Sequence, residues 1–97
     1  MLYLDLKIIA IFRKRGIIIV IFGDLIAKFP LGQRAENIEK AIAYYQEALE
    51  VITRQAFPYD YLTTSFNLGV AYQELKQWQL AYDTFDNAIE TVEDIRT

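Results

Sequence analysis

Seven apolar positions in this chain return forty residues later. In "NIEKAIAYYQEALEVI" they are Ile38, Ala41, Ile42, Tyr45, Ala48, Leu49 and Ile52, and their counterparts are Trp78, Ala81, Tyr82, Phe85, Ala88, Ile89 and Val92. Each set follows the i, i+3, i+4, i+7 rule, which places it on one stripe of an amphipathic helix. Both alanines return as alanines. A fixed period of this size means repeated supersecondary units, each covering the apolar face of its neighbour, and it restricts the fold to a helical array.

The stripes predict one helix over about 35–54 and another over about 77–94. A third, over about 61–75, lies between them. Its upstream boundary is "FPYD", where Pro58 restricts the backbone of Phe57 and Asp60 can serve as the cap. The polar pair "KQ" separates it from the last helix. The small residues have a packing logic: Ala41, Ala48, Ala81 and Ala88 let a neighbouring helix approach, while Tyr45 or Phe85 fills the space beside it. Gly69, inside "NLGVAYQEL", belongs with them. A glycine in a helix interior costs about 1 kcal/mol relative to alanine, so this position predicts a close contact with the last helix whose burial outweighs that cost.

"SFNLGVAYQELKQWQLAYDTFDNAIE" resembles a tetratricopeptide repeat, with Leu68, Gly69 and Tyr72 at the Leu-Gly-x-x-Tyr positions of the first helix and Ala81, Phe85 and Ala88 at the Ala-x-x-x-Phe-x-x-Ala positions of the second. Ser65 stands where the family favours Trp, and Glu93 where it favours Pro. The period of forty exceeds the usual 34 of the family, and the extra residues fall in "TRQAFPYDY". In this the chain resembles the long-period arrays of bacterial signalling proteins that stand beside a caspase-like CHAT domain. The resemblance implies an all-α fold of antiparallel helix hairpins over residues 33–97. Its repeat-packing residues would be Leu68, Gly69, Tyr72, Trp78, Ala81, Phe85 and Ala88. It further implies a scaffold that binds a protein or peptide on a concave face, through Thr63, Phe66, Asn67, Val70 and Gln73, with Glu74 beside them. Phe66 and Val70 stand where polar groups would clamp a terminal carboxylate, so an apolar or basic peptide is the better match for an acidic domain. The competing reading is a self-association element without a peptide ligand, or a fragment of a larger signalling protein of this family.

Residues 1–32 form a different region. Moving Gly69 back by forty lands on Phe29, and "KFPLG" with Pro30 cannot continue a helix, so the first repeat reads as degenerate, with Phe22, Leu25 and Ile26 covering the helix that follows. For "KIIAIFRKRGIIIVIF" three readings stand: a helical cap on the array, a β-hairpin turning at "RKRG", or a disordered, membrane-associated or non-native extension. The run "GIIIVIFG" falls far short of the roughly 18–20 apolar residues that span a bilayer, and a membrane partner is not expected.

The chain has no cysteine and no histidine, which removes thiolate zinc sites, thiol nucleophiles and histidine general bases. No enzymatic activity, cofactor or metal is expected. Residues 1–32 hold five Lys/Arg against two Asp/Glu, and residues 33–97 five against eleven. A domain so acidic is a poor match for a phosphate backbone, so nucleic acid is not an expected partner. The acidic run "ETVED" reads as a solvated helix face. A short array leaves apolar surface uncovered, which predicts a homo-oligomer, most simply a symmetric dimer, with its contacts on the amino-terminal segment and the first striped helix rather than on the acidic last helix. The expected location is cytoplasmic.

Overall fold

The two stripes and the glycines that face them determine how four helices stack. The computed structural model describes residues 2–97, and side chains from Leu6 onward. The helices are α1 (Leu2–Ala27), α2 (Arg34–Leu49), α3 (Pro58–Glu74) and α4 (Trp78–Arg96), with no strand among the described residues. The main packing pairs are α1 with α2 and α3 with α4, with α2 against α3 joining the two and a lesser contact between α1 and α3.

The run Ile17–Ile21 is β-branched, a composition that favours strands, yet it lies inside α1. The reason is tertiary. Gly16 and Gly23 are two helical turns apart, so both face α2. A side chain at Gly16 would meet Ile52 at 2.6 Å, and one at Gly23 would meet the Tyr45 ring at 2.8 Å. These contacts pair the later end of α1 with the middle of α2 and the middle of α1 with the segment after α2, so the two helices run antiparallel. "RKRG" is therefore part of a helix, and the hairpin reading fails. The expectation that Phe22 and Leu25 cover α2 is also corrected. Val20 and Ala27 pack against the core, whereas Leu25 is exposed and Phe22 is half-exposed, its ring 6.1 Å from that of Tyr44 on α2.

Helix α2 was expected to reach about Arg54 and ends at Leu49. Glu50 and Val51 donate to the carbonyls three residues back, tightening the last turn, and Ile52 then folds inward until it is fully buried. Thr53 organises the rest of the link, its hydroxyl accepting from the Ala56 amide at 3.2 Å and its carbonyl from that of Phe57 at 2.9 Å. Helix α3 begins three residues earlier than expected. Pro58 occupies its first turn, where the missing N–H costs nothing. Asp60 is not the cap: its carboxylate accepts from Arg13 of α1 at 2.6 and 3.2 Å.

Between α3 and α4 the chain turns in three residues. Lys76 adopts φ 60°, and the bonds Gln77 N to Tyr72 O at 3.0 Å and Lys76 N to Gln73 O at 2.9 Å close a left-handed helix cap. This tight turn sets α4 against α3, with the Phe85 ring lying directly on Gly69. A side chain at Gly69 would meet that ring at 2.5, 2.7 and 2.9 Å. The core joins Ile38, Ala41, Ile42 and Tyr45 of α2 to Leu68, Ala71 and Tyr72 of α3 and Ala81 of α4.

Candidate interaction groove

The chain α1–α2–α3 encloses a groove of about 240 Å³ with α1 and α3 as its walls and α2 as its floor. Asp24, Ala27 and Lys28 line it from α1, and Ile38 and Tyr45 lie below. Phe66, Asn67, Val70 and Glu74 line it from α3. These residues reach the groove because Gly69 and Tyr72 turn the opposite side of α3 toward the interior, which leaves the Phe66–Val70 side outward.

Asp24 is the centre of the polar part. Its Oδ1 accepts from the Tyr45 hydroxyl at 2.5 Å and from the Asn67 amide at 3.2 Å. The Tyr45 hydroxyl holds its proton well above the ordinary tyrosine range, first because it is buried and then because the Asp24 carboxylate accepts its hydrogen bond and adds negative charge. Asp24 is thereby held against the floor, and among the described residues its Oδ2 and the carbonyl oxygen of Asn67 accept no hydrogen bond. One end of the groove is closed by Arg34, which donates to Glu74 at 2.8 Å and also to the Ala27 carbonyl. Lys28 stands at the same end without an ion-pair partner among the described residues. Phe66 is more than half exposed and leans on Phe85 with ring centroids 5.7 Å apart.

Of the five residues expected to meet a partner, the structure brings Phe66, Asn67 and Val70 into the groove. Thr63 and Gln73 lie exposed on the same helix and do not line the groove. Sequence reasoning missed Asp24, Lys28 and Arg34, and gave Tyr45 a packing role only. The signal that finds Asp24 is the glycine. Gly23 faces Tyr45 as Gly69 faces Phe85, so α1 corresponds to α3 with an offset of 46 residues, and Asp24 falls where Val70 stands. Leu68, Gly69 and Tyr72 of α3 and Ala81 and Ala88 of α4 are buried as the repeat pattern requires, with Phe85 half-buried. Trp78 is a correction: it is 60 % exposed, whereas its counterpart Ile38 on α2 is 1 % exposed. Ile38 has α3 across it, and among the described residues Trp78 has no such neighbour.

A tetratricopeptide repeat model matches residues 32–94, more than half of the chain. The chain belongs to the tetratricopeptide repeat family. The match is to the repeat itself and does not single out the long-period arrays. No curated protein and no solved structure matches the chain. Tetratricopeptide repeats are in general protein-interaction modules and typically non-catalytic scaffolds. Among the described residues, no helix is long and apolar enough to cross a membrane.

Proposed function

We propose that this repeat protein is a scaffold that takes an extended segment of a partner protein, basic or apolar in character, in the groove between α1 and α3, with α1 acting as the first helix of a first repeat. The observation that carries this reading is the Asp24–Tyr45–Asn67 cluster. It offers one free carboxylate oxygen and one free amide oxygen, both acceptors, on a floor fixed before any ligand arrives. A peptide supplies matching donors in its backbone N–H groups and in Lys or Arg side chains. Phe66 and Val70 add an apolar wall for side chains between those donors. Preorganisation of this kind lowers the ordering cost of binding. Self-association without a peptide ligand is the second reading, and the exposed apolar stripe of α4 favours it.

Binding to an array of short peptides that vary in net charge tests the groove. Basic and apolar peptides are expected to be retained. Phe66→Ala should weaken all of them, and Asp24→Asn should selectively weaken the basic ones by about tenfold, since a charge-assisted hydrogen bond contributes roughly 1.5–3 kcal/mol. Retention of acidic peptides in preference, or chemical-shift changes confined to the outer face of α4 around Asp83, Asp86 and Glu90, would refute the groove.

A further inference from the structure

The two outer helices of the stack each expose half of a junction that is already formed once inside it. On α2 the stripe Ile38, Ile42, Tyr45 is buried because α3 lies across it, in one cluster with Leu68 and Ala71. The same stripe forty residues later, on α4, is open. Tyr82 is 67 % exposed where Ile42 is 8 %, and Trp78 and Ile89 are each 60 % exposed. The matching half stands on α1. The offset of 46 that aligns Gly23 with Gly69 aligns Ile18, Phe22 and Leu25 with Thr64, Leu68 and Ala71, and all three α1 residues are exposed where their α3 counterparts are buried.

We infer that copies of this chain assemble head to tail, the apolar stripe of α4 in one copy seating on the outward face of α1 in the next as α2 seats on α3 within the chain. This deepens the self-association reading and rests on it. Charge supports the pairing of these two faces over either face with itself. Lys14 and Arg15 flank Ile18 on α1, and Asp86 and Glu93 flank the α4 stripe. All four are exposed and have no ion-pair partner among the described residues. Two α4 faces would bring acid against acid, and two α1 faces base against base. A groove of about 480 Å³ beside Ile18, lined by Ile11, Lys14, Arg15, Ile19 and Glu47, gives an aromatic ring of α4 a place to insert. Side chains on both faces are larger than Thr64 and Ala71, so the helix axes would stand further apart than those of α2 and α3. A contact between two different faces propagates into a ring or an open filament and does not stop at a dimer unless the rotation closes.

Complementation between two blocked copies tests this inference. Ile18→Glu blocks the α1 face and leaves α4 intact, and Tyr82→Lys does the reverse. Both sites are exposed, so circular dichroism should match the parent, and Leu25→Glu with Ile89→Lys provides a second pair. In sedimentation velocity across the micromolar to sub-millimolar range, the parent should grow beyond a monomer with concentration, and growth should weaken as salt rises. Each variant alone should remain a monomer, and an equimolar mixture should yield a 1:1 dimer and nothing larger. Emission from Trp78, the single tryptophan, should move to shorter wavelength as the parent associates. A parent that stays monomeric overturns self-association and this assembly together. A parent that associates while the two variants fail to complement, or while Tyr82→Lys alone still associates, overturns the head-to-tail arrangement and leaves self-association standing.

Discussion

Gly69→Ala and Phe85→Ala, singly and together, test whether the glycine exists for the ring that lies on it. Alanine is a better helix former, and in an open helix the change would stabilise by about 0.8–1 kcal/mol. At this position the new methyl would sit 2.5 Å from Phe85 Cε1 and 2.7 Å from Cδ1, well inside van der Waals contact. Overpacking of that kind costs about 1–3 kcal/mol. The contact outweighs the propensity, and Gly69→Ala should destabilise by roughly 0–2 kcal/mol. Phe85 is half-buried and rests against the exposed ring of Phe66 at 5.7 Å, so it can swing outward in part, which argues for the middle of that range.

Removing the ring should reverse the sign. In the Phe85→Ala background the methyl meets open space, only the propensity remains, and Gly69→Ala should stabilise by about 1 kcal/mol. The coupling between the two sites is then about 1–3 kcal/mol, the size expected for residues in direct contact. Urea unfolding followed by circular dichroism at a fixed low protein concentration measures all four members of the cycle. For a domain of this size 1 kcal/mol also corresponds to roughly 4–8 °C in Tm. Additive effects, or a stabilising Gly69→Ala in the parent, would refute the reasoning, because either result means that the ring yields at no cost.

Lys76 holds a left-handed conformation at φ 60° with a side chain that disfavours it, so Lys76→Gly should raise the unfolding free energy by about 1 kcal/mol; an unchanged urea midpoint would show that the cap is not strained. Tyr45 binds its proton more tightly when folded than when unfolded. Its contribution is fully present below the usual tyrosine range near pH 10 and is lost as pH rises through that range toward the higher folded value. Unfolding midpoints from neutral to strongly alkaline pH should therefore fall more steeply for the parent than for Tyr45→Phe, and equal slopes would show that the Asp24 bond does not hold the hydroxyl proton.

The helices that carry the forty-residue stripes were legible because the pattern is strict and local. The stripe of α2 is buried as its spacing requires, apart from Leu49, which is half-buried. On α4 the spacing is equally good, yet Trp78, Tyr82 and Ile89 are open. Periodicity records which residues share a face and says nothing of whether a neighbour covers it. The first helix was harder to read for a different reason. Its β-branched run argues for a strand in isolation, and the deciding residues, Gly16 and Gly23, have no side chain to contribute to a hydrophobic pattern. What they supply is the absence of atoms where Ile52 and Tyr45 must lie.

Period arithmetic failed at the same place for a geometric reason. Forty residues separate α2 from α4, but 46 separate the glycine of α1 from that of α3. The link from α1 to α2 runs through Pro30 and Gly32, the latter at φ 87°, and is longer than the three-residue turn at Lys76. Helices in a stack keep their packing while the links between them vary, since loops tolerate insertions that cores do not. Register in such a chain is therefore better set by the contact each helix makes than by counting along the chain. Gly23 under Tyr45 and Gly69 under Phe85 are the same contact made twice. Setting the register there places Asp24 in the groove beside Asn67 and Ile18 on the outer face beside Lys14 and Arg15. One substitution separates the two roles of α1: Asp24→Asn alters the groove and leaves the outer face of the helix intact, so it should change peptide preference without changing the sedimentation of the parent.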